Sequence, residues 1–363
     1  MSAVAATSIK QPQPHDLRST SRLRRVARRR EGPLVLVTLA IFGITSALQP
    51  HFALGGNISF MLAGAMPLAI VAVGQTIVCL VRGIDLSVAP VLGIGAVSTG
   101  FLAQDHATSL WLLLLLAIGI GIGLGFVNGL FVTYARIPPI ITTLGTFTVY
   151  GGVQQLICNT RTVVTPLPIH TFATLGSGDF LPDVPWLLIP GVLVTVALAV
   201  VLWRTKWGRS LYAFGNNADA AFRAGIRTSF VQISAYTACG MLASVGGLVY
   251  LLKFGSAGYT TGSDVSIQLQ SIACVLIGGS TLTGGKGGVV GSFLAAIFLT
   301  VTLEAVIVAG IAYDWQSAAV GFLLLGAILV DAYQNRRGGS MRGSLRTMLS
   351  GRGRTPTQNG ATA

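Results

Sequence analysis

Charge is what this sequence has least of. Only 10% of its 363 residues are Asp, Glu, Lys or Arg, against about 25% in an ordinary soluble domain. That is too little to cover a water-facing surface. With 52% hydrophobic residues and a mean hydropathy of +0.72, the chain reads as an all-α polytopic membrane protein. Histidine and cysteine are also scarce, at four each. His15, His51, His106 and His170 fall in a tail or in loops, and none stands beside a spaced carboxylate or cysteine. No catalytic residue set and no metal site is therefore expected. Cys79, Cys158, Cys239 and Cys274 lie in or at the edge of apolar segments without C-x-x-C spacing, which points to buried free thiols rather than a disulfide framework or zinc site.

Acids are rarer than bases, and the formal net charge is +13. Residues 1–31 hold eight Lys/Arg against Asp16 and Glu31, and residues 336–363 hold six Arg and no acid. The two tails thus account for +12, leaving +1 for everything between them. Neither tail interleaves aromatics with its basic residues, so nucleic acid is not the expected partner. Basic tails beside apolar spans fit cytoplasmic ends and membrane lipid headgroups. The expected division is a basic tail over 1–32, a membrane domain over 33–333 and a second basic tail over 334–363. The apolar run after "SRLRRVARRREGP" lacks an A-x-A-like cleavage site, and the next span follows almost at once, so it reads as a retained first span.

A helix crossing ~30 Å of hydrocarbon takes about 20 residues. Segments 34–53, 58–81, 86–104, 110–134, 138–158, 184–203 and 229–252 qualify, and 266–332 has room for three more. This makes about ten spans. With a cytoplasmic N-terminus, the inner loops collect Arg82, Arg136, Arg204, Lys206, Arg209, Arg223, Arg227, Lys286 and Arg336. The outer loops collect Asp105, Asp179, Asp183, Asp264 and Asp314, with only Arg161 and Lys253 as outer bases. An odd span count before residue 204 would invert this pattern, so both termini are expected inside.

Two stretches interrupt the apolar pattern. "GGSTLTGGKGG", Gly278–Gly288, looks like a phosphate-binding loop. Aligned on Lys286, however, it has Ser280 where the first glycine belongs and Gly287 where the magnesium-binding hydroxyl belongs. It reads instead as a non-helical turn between membrane helices, with Gly278, Gly279, Ser280, Gly284 and Gly285 as gate or hinge positions. "VRGIDLSVAP" places Gly83, Asp85 and Ser87 at a second break, where Asp85 either caps the next helix, pairs with Arg82 or acts as a hinge. The four-residue glycine spacings in "GIGIGLGFVNG" (Gly119/Gly123, Gly121/Gly125, Gly125/Gly129) suit close helix packing. Gln75, Thr142, Thr143, Thr146 and Gln154 are polar groups inside apolar helices. They suit either a substrate pathway or helix–helix hydrogen bonds. Glu304, Lys253 and Asp331 are the few ionisable groups near membrane depth, fewer than an ion-coupled carrier usually buries.

The cytoplasmic loop 205–228 contains "WGRSLYAFGNNADAAFRAGI". Asn216 or Asn217 can cap a short helix, with Asp219 in its first turn and Gly225 at its end. A helix of that length is marginal alone in water and must dock on a partner or on headgroups. Asp219-Ala220-Ala221 followed by Gly225 resembles the coupling helix of ABC importer permeases. Together with "GIDLSVAPVLGIGAVSTG", "GFVNGLFVTYARIPPIITTLGTFTVYGGV" and "IACVLIGGSTLTGGKGGVVGS", it resembles the ribose/xylose/arabinose permease family, in order over residues 57–332.

That resemblance implies the inner-membrane permease subunit of a bacterial sugar importer. The implied partners are a second permease copy forming a homodimer, an ABC ATPase subunit that uses ATP and Mg, and a periplasmic sugar-binding protein. No cofactor is implied for this chain. Asn217, Asp219, Ala220, Ala221, Phe222, Arg223 and Gly225 are its expected ATPase-coupling residues, with the small face of Ala221 entering the ATPase groove. Two departures concern the substrate. Val88-Ala89-Pro90 replaces a small Gly/Ser run, and Gln268 and Gln270 stand where an acidic pair is usual. An ion-coupled secondary sugar transporter and a membrane-embedded enzyme or scaffold are the rival readings. If Gly278–Gly288 is a turn and not a nucleotide site, the purified chain alone binds no ATP at millimolar concentration. Equilibrium dialysis checks this, and nucleotide binding that disappears in Lys286→Ala would overturn it.

Overall fold

The computed structural model describes residues 31–104, 109–159, 161–164, 170–262 and 265–310, with scattered positions between 315 and 329. The helices are α1 (Glu31–Leu48), α2 (Gly55–Leu80), α3 (Val88–Ala103), α4 (Leu110–Thr133), α5 (Pro139–Cys158) and α6 (His170–Ser177). They continue as α7 (Leu188–Arg204), α8 (Lys206–Asn216), α9 (Ala218–Arg223), α10 (Thr228–Phe254), α11 (Val265–Ile277) and α12 (Val289–Val308). Sheet is confined to two-stranded scraps: β1 (Val163–Val164) pairs antiparallel with β4 (Ser256–Ala257), and β2 (Asp179–Leu181) pairs with β3 (Val184–Pro185). The protein is an all-α polytopic membrane protein. Nine of the segments expected to span are helical, as α1–α5, α7 and α10–α12. The tenth, the tails, and Asp105, His106, Asp264, Asp314 and Asp331 lie outside the described residues.

Among the described residues, five helices are long and apolar enough to cross a membrane, α1, α2, α4, α10 and α12, and the bent pair α7–α8 makes a sixth if taken as one span. The others depart from the simple pattern for identifiable reasons. In α3, 16 residues with 13 buried, the helix is enclosed by its neighbours and starts after the break at 81–87. In α5 the inward face is polar, which lowers its overall apolarity while Ile140, Ile141, Leu144, Val149, Val153 and Leu156 face outward. α7 and α8 are bent by 75° at Thr205. That residue makes the corner itself: its Oγ1 donates to Val201 O at 2.7 Å and accepts from Gly208 N at 3.1 Å. One hydroxyl thus closes α7 and caps α8.

The core is organised around α2 and α10. α2 is almost wholly buried along its second half, and α10 packs on it and on both α3 and α4. The α4–α10 crossing depends on glycine. A Cβ on Gly121 or Gly125 would strike the α10 backbone at Gly240, Met241 and Tyr236, and one on Gly129 would strike Ile233. Gly119 and Gly123, also four apart, have open space beside them. Of the three spacings read as packing sites, only those on one helical face meet a neighbour.

The two ends of the bundle differ in charge. At one end Arg82, Arg136, Arg204, Lys206, Arg209, Arg223, Arg227 and Lys286 follow or precede helix termini that meet one another. At the other lie Asp179, Asp183, Arg161 and Lys253, together with the β1–β4 pairing and the Ser59–Asp179 hydrogen bond. Lys253 Nζ rests 4.1 Å above the Phe60 ring, a cation–π contact that lowers the cost of its position near the apolar body. The segregation of charge read from the loops is therefore carried by the folded chain.

Steric contact at one glycine face predicts asymmetric tolerance. Gly125→Val is expected to destabilise the chain by at least about 1–3 kcal/mol through overpacking, while Gly123→Val leaves it nearly unchanged. Thermal unfolding of the two detergent-purified variants checks the difference.

Candidate functional site

Three interruptions of helical structure meet at the basic end. The first is 81–87, between α2 and α3, where Arg82 takes a left-handed φ of 61°. The second is 278–288, between α11 and α12, where Gly284 and Gly285 take φ of 81° and 69°, values that only glycine adopts without strain. The third is the α8–α9 junction at Asn217. Backbone joins the first two directly: Gly285 N donates to Leu80 O at 3.0 Å.

Arg82 joins the third. Its Nε donates to Gly215 O at 2.7 Å and its Nη2 to Asn216 O at 2.6 Å. These are carbonyls of the last turn of α8, which have no helical partner of their own. Arg82 therefore caps α8 and does not pair with Asp85. Tyr212 Oη donates to Gly287 O at 2.9 Å, and Asn216 Nδ2 reaches Gly285 O at 3.4 Å. Gly215 lies so tightly between Leu80 O and Gly285 that a Cβ has no room there.

Asp85 lies in an enclosed position two residues before Ser87, the N-cap of the following helix, and does not itself cap it. It is 1% exposed, and its Oδ1 accepts from Ser87 N at 2.9 Å and Ser87 Oγ at 2.6 Å. Asn128 Nδ2 donates to Ser87 Oγ at 2.7 Å, and Tyr150 Oη reaches Leu124 O and Asn128 Oδ1 at 3.0 and 3.4 Å. Gln75, with its amide turned to satisfy both atoms, exchanges hydrogen bonds with the Asp85 backbone at 3.2 and 3.1 Å. Tyr236 abuts Gly83 closely enough to exclude a Cβ. Asn128, Tyr150 and Tyr236 were absent from the sequence-derived site. Asn128 stands as the single amide in the apolar run of α4, and that isolation is the signal that could have found it.

The polar positions of α5 form one stripe. Thr142, Thr143, Thr146, Tyr150, Gln154 and Cys158 are its buried residues, spaced to share a helix face. Thr143 Oγ1 donates to Pro139 O at 2.9 Å and reaches Ile84 O at 3.2 Å, linking the stripe to the first break. Thr146 bonds back to Thr143 O at 3.3 Å. At the other end Gln154 Nε2 donates to the carbonyls of Gly258 at 3.0 Å and of Thr261. Those carbonyls belong to a non-helical stretch, 255–262, that follows α10 and packs on Ala89 and Gly93 of α3. The sequence reading did not include this inward path; the spaced Gly255, Gly258 and Gly262 were its trace in the sequence.

Several buried polar atoms around α3 have no hydrogen-bond partner among the described residues: Thr142 Oγ1, Gln154 Oε1, Tyr236 Oη, Ser244 Oγ, Gln268 Oε1 and Ser280 Oγ. Native proteins leave few such groups. Gln268, which stands where the resemblance expected an acid, is one of them. No group of three or more His, Cys, Asp or Glu gathers among the described residues, and all four cysteines are free and buried.

The expected coupling helix is α9. Asn217 is its N-cap, its Oδ1 accepting from Ala220 N at 2.9 Å, and Gly225 ends it at φ 80°. Its small-residue face differs from expectation at Ala221, while Phe222 is exposed as expected. Ala221 is 4% exposed and turned into the protein, whereas Phe222 is 70% exposed. The outward surface is therefore Asn217, Asp219, Ala220, Phe222 and Arg223.

Residues 57–329 match the family described as branched-chain amino acid transport system / permease component. The chain belongs to this permease family. The permease is 32% identical to the autoinducer 2 import system permease protein LsrC of Yersinia enterocolitica over 87% of its own length and 86% of the relative's. It is 32% identical to the protein of that name in Photorhabdus luminescens, over 85% and 92%. It is 34% identical to the probable ABC transporter permease protein y4mJ of Sinorhizobium fredii, over 85% and 90%. No solved structure matches it.

The Arg82 cap yields a stability prediction for the permease. Arg82→Met removes two charge-assisted hydrogen bonds, each contributing about 1.5–3 kcal/mol, and should free the α8–α9 segment first. Limited proteolysis should show faster cleavage within 216–226, with cleavage elsewhere unchanged.

Proposed function

We propose that this permease is the translocating subunit of an ABC importer. It carries a monosaccharide of the ribose/xylose/arabinose kind, or a related polyol, across a bacterial inner membrane. The observation that carries the reading is the convergence of both membrane breaks on α8, directly behind an exposed α9. A force applied to α9 passes through α8 and Arg82 to the break before α3, and through Tyr212 and Asn216 to the turn before α12. Both breaks therefore respond to one lever.

In this mechanism α9 sits in a groove on a separate ATPase subunit, with Phe222 as the inserted side chain and Asp219, Ala220 and Arg223 around it. ATP and Mg are handled by that partner. One lever per chain and a dimeric ATPase imply two permease copies, most simply a homodimer, and a periplasmic binding protein delivers the sugar. The basic end faces the cytoplasm by the positive-inside rule, and the tails 1–32 and 334–363 extend on that side. Gly83, Asp85, Ser87, Gly278, Gly279, Ser280, Gly284 and Gly285 form the hinge. Thr142, Thr143, Thr146 and Gln154 line the path with Gln75 behind its break. The unpartnered hydroxyl and amide oxygens supply hydrogen bonds that a hydroxylated solute can complete. Uncharged partners suit a neutral solute better than an ion, which favours this reading over an ion-coupled carrier. Relatives named for autoinducer 2 import make that solute a second substrate to screen.

Reconstitution separates the readings. Phe222→Asp should keep normal membrane levels while losing both co-purified ATPase and uptake. Ala221→Arg should instead lower membrane levels, since it forces a charge into a packed face. Uptake by the lone chain driven by a proton or sodium gradient would replace the importer reading with a secondary transporter. Orientation has its own check: a cysteine at 224 should react with an impermeant thiol reagent only from the cytoplasm, and one at 181 only from outside.

A further inference from the structure

A cavity of about 550 Å³ opens at the basic end between the α7–α8 corner and the start of α12. Its floor is apolar, from Leu202, Val289 and Val290, and its rim carries two opposite charges, Arg209 and Glu31. Arg209 spends one guanidinium N–H on Arg204 O at 3.2 Å, leaving most of its five-donor fork for another acceptor. Trp203, 73% exposed and stacked under the Arg204 guanidinium at 4.2 Å, marks the depth of the membrane–water boundary. Beyond it Ile189, Leu193, Val196 and Val200 form an exposed apolar stripe along α7, at helical spacing.

We propose that this cavity binds an ethanolamine glycerophospholipid, its phosphate on Arg209, its ammonium on Glu31 and its acyl chains along the outer stripe of α7. A phosphate accepts the planar guanidinium fork well. A primary ammonium gives a carboxylate charge-assisted N–H bonds that a quaternary choline has no hydrogen to make. The volume suits a headgroup and glycerol, with the chains left in the bilayer. The bound lipid would bear on the lever itself. Tyr212 lines the cavity and holds Gly287, and Gly288 and Val289 at the start of α12 line it too. An occupied cavity thus holds the α8 corner against the α11–α12 turn.

Native mass spectrometry of the full chain, after exchange into nanodiscs of phosphatidylethanolamine, phosphatidylglycerol or phosphatidylcholine, tests the assignment. Wild type should retain the ethanolamine lipid at least about tenfold more tightly than the choline lipid. Glu31→Gln should abolish that preference without changing glycerol-lipid retention, and Arg209→Gln should lower retention of all three. Val290→Trp, which fills the floor and leaves both charges intact, should also abolish retention. A preference for phosphatidylglycerol that survives Glu31→Gln would overturn the proposal. So would displacement of the lipid by inorganic phosphate at millimolar concentration, or equal retention of all lipids by wild type and Val290→Trp.

Discussion

Inside a bilayer, a backbone N–H or C=O that leaves a helix must find another partner within the protein. The rest of this structure depends on how that demand is met. The chain leaves helical geometry at 81–87, 255–262 and 278–288, and in each case the freed groups are answered from elsewhere in the fold. Leu80 O is taken by Gly285 N, and the carbonyls of 258–261 are taken by Gln154. At the edge of the membrane the last carbonyls of α8 are taken by Arg82. The buried Gln154 bonds cannot be exchanged for water without opening the core, and through bonds of this kind each break is tied to a particular partner.

This explains why α3 is both short and central. It begins at Val88, after Asp85 has fixed Ser87 from inside the protein, and it is ringed by α4, α5, α10 and α11. Around it sit unpartnered oxygens on Thr142, Gln154, Tyr236, Ser244 and Gln268. The polar groups left incomplete in an otherwise well-satisfied interior thus gather around the helix that follows the first break.

The membrane class, most helix positions and both glycine- or aspartate-marked breaks were legible from the sequence, because apolar length and helix-breaking residues act locally. The cap of α9 was legible for the same reason: Asn217, Asp219 and Gly225 are local signals. What was not legible depended on facing. Gly121 and Gly123 look alike in the sequence, yet one touches α10 and the other touches nothing. Ala221 and Phe222 are neighbours, and only packing against the protein decides that the smaller one turns inward. A pairing of Arg82 with Asp85 was one of the alternatives left open, but Arg82, at a left-handed φ, reaches α8, more than 130 residues away in sequence. The inward stretch at 255–262 was hidden because its glycines resemble those of an ordinary loop.

The corner at Thr205 has a mechanical consequence. Because a single hydroxyl ends one helix and starts the next, no slack segment separates α7 from α8. α8 is then a stiff arm of about 16 Å, from 11 residues at 1.5 Å each, continuous with α7 at one end and bonded to Arg82 near the other. A small displacement at its free end cannot be absorbed by stretching. It must appear as rotation about Thr205, so the displacement passed to the breaks at 81–87 and 278–288 is set by the length of this arm rather than by the compliance of a loop.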